Sequence, residues 1–175
     1  MNTITSLVVR FFQFVFGAIV LGLSITAIKW QWQGSAPATS SYSAFTGAFG
    51  MLTALIGTAA IFIDAVPDLI MAIVDALASV LFLAGGIAFA VGLRGVSCGN
   101  THDTSNNYLL NGGCKGKGDN QECGFASYNV LPGRCRMAEA DSAFLFLGFL
   151  ISIGAAVLCF LASRRGGGVS KHSAV

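Results

Sequence analysis

The stretch LIMAIVDALASVLFLAGGIAFAVGL, residues 69–93, contains a single charged side chain, that of Asp75. A helix needs roughly 20 mostly apolar residues to cross the hydrocarbon core of a bilayer. The stretch does not alternate strictly between polar and apolar residues, as the strands of a membrane barrel do. It therefore predicts a transmembrane α-helix.

Three further stretches of this kind make up much of the chain. They are residues 11–28, flanked by Arg10 and Lys29, residues 42–63, and residues 142–163, which end at Arg164 and Arg165 as a stop-transfer signal. The length and aromatic start of the first stretch favour a retained span over a cleaved signal peptide. We expect an all-α membrane protein built as a four-helix transmembrane bundle.

The composition agrees with lipid as the main solvent. Of the 175 residues, 54% are hydrophobic and 10% are charged, whereas soluble domains carry about 25% charged residues. A dispersed net charge of +2 predicts no nucleic-acid partner. The sequence offers no His/Glu cluster, no nucleophile beside a base and no phosphate-binding loop, so we expect no enzyme, no catalytic residue and no metal.

The segment between the third and fourth spans, residues 94–138, carries four of the five cysteines: Cys98, Cys114, Cys123 and Cys135. An even set of cysteines in a Gly- and Asn-rich loop indicates disulfides, of which three pairings are conceivable. We favour Cys98 with Cys135, because both lie near the membrane ends of the loop. Cys114 and Cys123 would then close an inner loop. The alternative, a zinc site that includes His102, matches no common ligand spacing.

Disulfides persist on the oxidising side of a membrane, which predicts an extracellular loop and two cytoplasmic termini. The positive-inside rule leans weakly the other way. In this orientation Arg10, Arg164, Arg165 and Lys171 give four cations inside, whereas Lys29, Arg94, Lys115, Lys117, Arg134 and Arg136 give six outside. We give the cysteines more weight than this difference of two charges.

The ends of the spans carry their own signals. Trp30 and Trp32, at the end of the first span, are typical of anchors at the membrane–water interface. The Gly- and Ser-rich residues 166–175 predict a flexible cytoplasmic tail. Cys159 lies close to the cytoplasmic end of the last span, where it is a candidate for S-palmitoylation. The alternative is a buried apolar cysteine.

Asp75 is the one ionisable residue that this division places well inside a span. An acid at such a depth is costly and is a functional candidate by default. We favour a role in hydrogen bonding between helices, with Thr58 as the partner at similar depth. The alternative is a transport or ligand-binding role. Small residues also recur four apart, for instance Ser43 and Gly47 or Ala18 and Gly22, and such ridges predict close packing of spans or of subunits.

The sequence resembles the fungal non-classical export proteins, which are four-span, MARVEL-type plasma-membrane proteins associated with eisosomes. The resemblance covers nearly the whole chain. It is carried by DALAS at residues 75–79, by AVGLRGVSCGN at residues 90–100, and by Arg134-Cys135-Arg136 followed by Ala140, Ala143 and Phe144. Short-looped relatives have only the outer cysteine pair, which supports the bond between Cys98 and Cys135. Cys114 and Cys123, in a longer Gly-rich loop, depart from that pattern.

The resemblance implies a MARVEL-like bundle with one disulfide-stapled loop, and membrane organisation rather than catalysis. The expected function is that of a non-enzymatic scaffold of the plasma membrane, which responds to sphingolipid or sterol and contributes to eisosome assembly and transporter clustering. Unconventional secretion is a further role of this family. Expected partners are membrane lipids and either further copies of the chain or other plasma-membrane proteins. No cofactor is expected beyond a bound sphingolipid or sterol. The alternative is a small channel or transporter, or an accessory subunit of one, that uses Asp75.

Overall fold

The computed structural model describes residues 3–32, 34–62, 67–116, 122–125 and 127–166. For residues 165 and 166 it describes the backbone only. Four long helices dominate it: α1 (Thr3–Lys29), α2 (Ala38–Phe62), α3 (Asp68–Gly92) and α5 (Leu131–Gly166). Within the described ranges these four are long and apolar enough to cross a membrane. The chain is therefore a four-helix membrane bundle, as the sequence predicts.

The four helices are arranged as a ring. Helix α1 packs between α2 and α5, and α3 packs between the same two neighbours on the opposite side. Successive helices run antiparallel, so the bundle has two ends. We call the end with Lys29, Gly92 and Leu131 the loop end, and the end with Thr3 and Phe62 the terminal end.

Two of the helices extend well beyond the predicted spans. Helix α1 begins at Thr3 rather than at residue 11, and α5 begins at Leu131 rather than at residue 142. Helix α5 has 36 residues, which at 1.5 Å per residue corresponds to about 54 Å. A hydrocarbon core is about 30 Å thick, so the first turns of α5 project past it. The predicted tail, residues 166–175, lies outside the described residues apart from the backbone of Gly166.

The segment at the loop end is held by two disulfides. Cys98 is bonded to Cys135, which ties the chain after α3 to the first turns of α5. Cys114 is bonded to Cys123 across a small antiparallel hairpin, β1 (Cys114–Lys115) with β2 (Glu122–Cys123). Helix α4 (Thr101–Asn106) and a 3-10 turn (Tyr128–Val130) complete the segment. Because all four sulfurs are in disulfides, no thiolate is left among them for the alternative zinc site.

Small residues let the helices approach closely. A Cβ atom on Gly47 of α2 would lie 2.7 Å from the backbone nitrogen of Leu21 on α1. Phe82 of α3 is fully buried, and Gly50 of α2 and Gly148 of α5 leave the space that its ring occupies. The ridge on α2 thus packs against helices of the same chain.

Candidate functional site

A buried ion pair lies inside the bundle, toward the terminal end. The Arg10 guanidinium on α1 donates from Nη1 to Oδ1 of Asp75 at 2.6 Å and from Nη2 to Oδ2 at 2.7 Å. Arg10 is 5% exposed and Asp75 is 0% exposed. A two-pronged contact of this kind is the strongest form of charged hydrogen bond. It joins α1 to α3, which face each other across the ring.

This pair corrects two predictions. Arg10 is not a flank of the first span but a buried residue inside α1, so Asp75 is not the only ionisable group within the bundle. Thr58 is not the partner of Asp75, because its hydroxyl donates to the carbonyl of Ala54 on its own helix at 2.8 Å.

Polar side chains from α1, α2 and α5 surround the pair. Gln13, one turn from Arg10, accepts from Arg10 at 2.9 Å and donates to Asp75 at 3.1 Å. Its amide nitrogen also lies 3.3 Å from the hydroxyl of Thr53 on α2 and 3.4 Å from that of Ser152 on α5. Buried polar groups are costly unless they are hydrogen-bonded. Here they form one network that fixes the relative positions of the four helices.

Cys159 of α5 belongs to the edge of this network. Nη2 of Arg10 lies 3.4 Å from its sulfur, which in turn lies 3.9 Å from Oδ2 of Asp75. The thiol is half-buried and directed at the ion pair, so Cys159 is not the buried apolar cysteine of the alternative. S-palmitoylation of Cys159 stays a prediction.

A small cleft reaches the ion pair from the terminal end. It has a volume of about 70 Å³, and its lining includes Arg10, Cys159 and Asp68. Gly57 of α2 also borders it, and any side chain there would collide with the Arg10 guanidinium. The cleft ends at the Arg10 guanidinium, both of whose terminal nitrogens donate to Asp75. It has room for water near the pair, but not for a large solute.

A second polar contact lies near the loop end. Ser24 of α1 donates to Oδ2 of Asp141 on α5 at 2.7 Å, and both residues are almost fully buried. Oδ1 of Asp141 has no hydrogen-bond partner among the described residues. The sequence division assigned Asp141 to the loop side of residue 142, so this buried acid was missed.

An apolar layer separates the two polar contacts. Val20 of α1, Phe82 of α3 and Leu145 of α5 are each 0% exposed and belong to one packed cluster. On α1, Val20 falls between Arg10 and Ser24. On α3, Phe82 follows Asp75 toward the loop end, and on α5, Leu145 lies between Asp141 and Ser152. Ser43 and Thr46 of α2 and Ser79 of α3 are also buried, but among the described residues no hydrogen bond between side chains connects the Arg10–Asp75 pair to the Ser24–Asp141 contact.

The remaining predicted residues lie at the two ends. Trp30 packs under the Arg134 guanidinium, 5.2 Å from its Cζ to the ring centroid, and Trp32 is 81% exposed. At the terminal end Arg164 lies over the ring of Phe160 at 4.8 Å. The side chain of Arg165 lies outside the described residues. The Trp30–Arg134 contact thus lies at the loop end and the Arg164–Phe160 contact at the terminal end.

The sequence did hold a signal for the missed half of the ion pair. Arg10 and Gln13 are spaced by three, which places two polar side chains on one face of a helix otherwise made of aromatic and aliphatic residues. An acid inside a span generally pairs with another polar group.

The comparisons with known proteins agree with this architecture. The MARVEL family, described as a membrane-associating domain, matches residues 3–158. No match was found among curated proteins or among solved structures. The matched region contains all of α1, α2 and α3 and most of α5, together with the disulfide loop. The chain belongs to the MARVEL family of membrane-associating domains.

Proposed function

We propose that the protein is a non-enzymatic organiser of the plasma membrane that responds to sphingolipid or sterol. In this role it contributes to the assembly of eisosomes or similar microdomains and to the clustering of transporters within them. MARVEL domains are membrane-associating and in general not enzymes, which supports the broader part of the proposal. The resemblance to the fungal non-classical export proteins supports the finer part.

The observation that carries the proposal is the apolar layer of Val20, Phe82 and Leu145. A transporter that used Asp75 would need polar groups or water along the bundle axis, because ionisable groups at membrane depth normally line a pathway or a cavity. Here both oxygens of Asp75 are bound by Arg10, and the layer lies between this pair and the loop end. The interior is suited to holding helices together.

The outward faces support a role in the plane of the membrane. Ile73, Leu77 and Val80 of α3 are all more than half exposed, and contact with lipid tails or with another membrane protein would cover them. Association of helices in lipid relies on close packing rather than on a hydrophobic force. We further propose that the disulfide loop is extracellular, that both termini are cytoplasmic, and that copies of the chain associate with each other or with other plasma-membrane proteins.

The test is self-association in liposomes of defined composition. Two populations of the full chain, one with a donor and one with an acceptor fluorophore on the C-terminus, are reconstituted at a fixed lipid-to-protein ratio. We expect energy transfer to rise as sphingolipid replaces phosphatidylcholine of equal chain length. A transfer efficiency that is independent of sphingolipid and of sterol contradicts the proposal.

The channel or transporter alternative makes a different prediction in the same liposomes. It requires flux of a trapped ion or small solute that depends on the protein. We expect no flux above that of protein-free liposomes. Flux that is abolished by Asp75→Asn in a protein that still folds favours the alternative.

A further inference from the structure

A pocket lies at the loop end beside the inner disulfide, Cys114–Cys123, and Cys123 belongs to its lining. The pocket has a volume of about 450 Å³, within the range of about 300–1,000 Å³ that is usual for small-molecule sites. Its lining residues come from the end of α1, the segment after it, the hairpin and the first turn of α5: Lys29, Trp30, Trp32, Cys123, Gly124, Phe125 and Arg134.

Backbone contacts hold the walls of the pocket in place. The amide of Trp32 donates to the carbonyl of Gly112 at 2.9 Å, which docks the segment after α1 on the hairpin. Gly112 has a positive φ of 70°, and a side chain there would lie within 2.6 Å of the Trp30 carbonyl. Gly124 packs so closely against Trp32 that a Cβ atom would lie 2.8 Å from that side chain. The glycines of this loop therefore permit close packing around the pocket.

Among the described residues that line the pocket, Lys29 and Arg134 are cationic and none is acidic. Arg134 donates to the carbonyls of Leu110 at 3.0 Å and Gly124 at 3.1 Å, and lies over the ring of Trp30. Lys29 is exposed at its rim. Among the described residues neither cation has a carboxylate partner. Backbone carbonyls orient a guanidinium but do not neutralise it, so two positive charges remain available to an anion.

The pocket lies at the depth of the lipid headgroups, next to apolar side chains that face the bilayer. Helix α1 has 27 residues, or about 40 Å, which matches a bilayer including its headgroup regions. Lys29 and the tryptophans at its end therefore lie at headgroup level. Ile25 on α1 and Met137 on α5, each one turn from the pocket, are 39% and 38% exposed. An acyl chain that follows α1 would contact Ile25 below the charged pocket, and Met137 adds apolar surface at headgroup level.

We propose that this pocket binds the anionic phosphate headgroup of a membrane lipid, with Lys29 and Arg134 as the charged contacts and the aromatic side chains as the walls. Arginine forms two-pronged contacts with phosphate, and lysine adds a mobile charge. The inference goes beyond the proposed function, because the proposed response to sphingolipid or sterol does not require a phosphate headgroup. It also gives the long Gly-rich loop a role.

The chain offers a direct readout, because Trp30 and Trp32 are its only two tryptophans. Intrinsic tryptophan fluorescence of the full chain in phosphatidylcholine nanodiscs is recorded as phosphatidic acid is introduced at increasing mole fraction. We expect a saturable change in emission. In the variant Lys29→Gln with Arg134→Gln, we expect half-saturation to require at least about tenfold more phosphatidic acid, which corresponds to about 1.4 kcal/mol.

The matched control is Lys115→Gln with Arg136→Gln, which removes the same charge from exposed positions near the same end but outside the pocket. It should titrate like the wild type. If both double variants need the same increase in phosphatidic acid for half-saturation, the response depends on general surface charge, and the proposal is overturned. Lys29→Gln alone, at an exposed rim position, should weaken binding without loss of the Arg134 contacts, so a misfolded Arg134 variant does not leave the test open.

Two further arms identify the occupant. Glycerol 3-phosphate and inorganic phosphate, added to nanodiscs of phosphatidylcholine alone, should cause no saturable change. If they saturate the signal as the lipid does, the site binds a soluble phosphate and the lipid assignment is wrong.

The variant Cys114→Ser with Cys123→Ser should lose the response while keeping the four-helix bundle; an unchanged response in it contradicts the role of the hairpin. Because fluorescence reports only the pocket and energy transfer reports self-association, either proposal can fail without the other.

Discussion

Arg10 and Asp75 are 65 residues apart in sequence, yet their side chains meet through two parallel contacts of 2.6 and 2.7 Å inside the bundle. They lie on α1 and α3, which are opposite helices of the ring. Two ionised groups of this kind are expensive to bury, and their mutual attraction repays the cost only with good geometry and further hydrogen bonds. Gln13 supplies such hydrogen bonds to both partners.

Removal of one partner should be strongly destabilising. We predict that Asp75→Asn lowers the free energy of unfolding by about 3–5 kcal/mol, because it leaves the Arg10 guanidinium buried without its counter-charge. Denaturant or thermal unfolding of the purified protein in a mild detergent measures the effect. The paired variant Arg10→Met with Asp75→Leu should recover much of the loss, since it removes both charges. A single variant as stable as the wild type contradicts the buried pair.

The contact between α1 and α2 should depend on a glycine at one position and not at another. Gly47→Ala places a Cβ atom 2.7 Å from the backbone of Leu21, and overpacking of this kind costs about 1–3 kcal/mol. Gly22→Ala is the matched control, because a Cβ atom there has nothing within 4 Å. It should be neutral or slightly stabilising, since alanine is the better helix former. Equal unfolding temperatures for the two variants would rule out this helix contact.

The two disulfides should differ in their contribution to stability. Cys98–Cys135 spans 37 residues and Cys114–Cys123 spans 9. The entropy that a cross-link removes from the unfolded chain grows with the length of the closed loop, so the outer bond should stabilise by about 1 kcal/mol more. Thermal unfolding of the two Cys→Ser double variants compares them. A larger loss from the inner pair would show that another effect dominates.

The proposed orientation can be tested with the lysines alone. Lys29, Lys115 and Lys117 precede or lie in the loop, and Lys171 is in the tail. We predict that a membrane-impermeant amine reagent labels the protein in intact cells, and that changing the first three lysines to arginine abolishes the labelling. Lys171→Arg should have no effect. The reverse pattern would place the loop in the cytoplasm.

The number and helical nature of the spans could be predicted from the sequence because hydropathy and length determine them with little help from tertiary structure. The ends of the helices could not. Arg10 has the character of a flanking charge, and it lies inside α1 only because Asp75, far away in sequence, neutralises it. No local pattern reports such a partner.

The start of α5 was missed for a related reason. Arg134, Arg136, Glu139 and Asp141 make its first turns too polar for a hydrocarbon span. Helix formation, however, depends on hydrogen bonding along the backbone and not on lipid solubility, and the Cys98–Cys135 bond and the buried Leu131 hold this extension against the loop. The pocket between Trp30 and Arg134 depends on that extension, which is why neither residue indicated it alone.

The central claim is that the polar interior stabilises the bundle, while the protein functions through lateral contacts with lipids and proteins in the plane of the membrane. Sphingolipid-dependent energy transfer between labelled copies of the variant Arg10→Met with Asp75→Leu, beside the wild type, tests it most directly. We predict that both proteins fold and that energy transfer rises with sphingolipid to the same extent in both. A folded variant that no longer responds, or a wild type that does not respond at all, contradicts the claim.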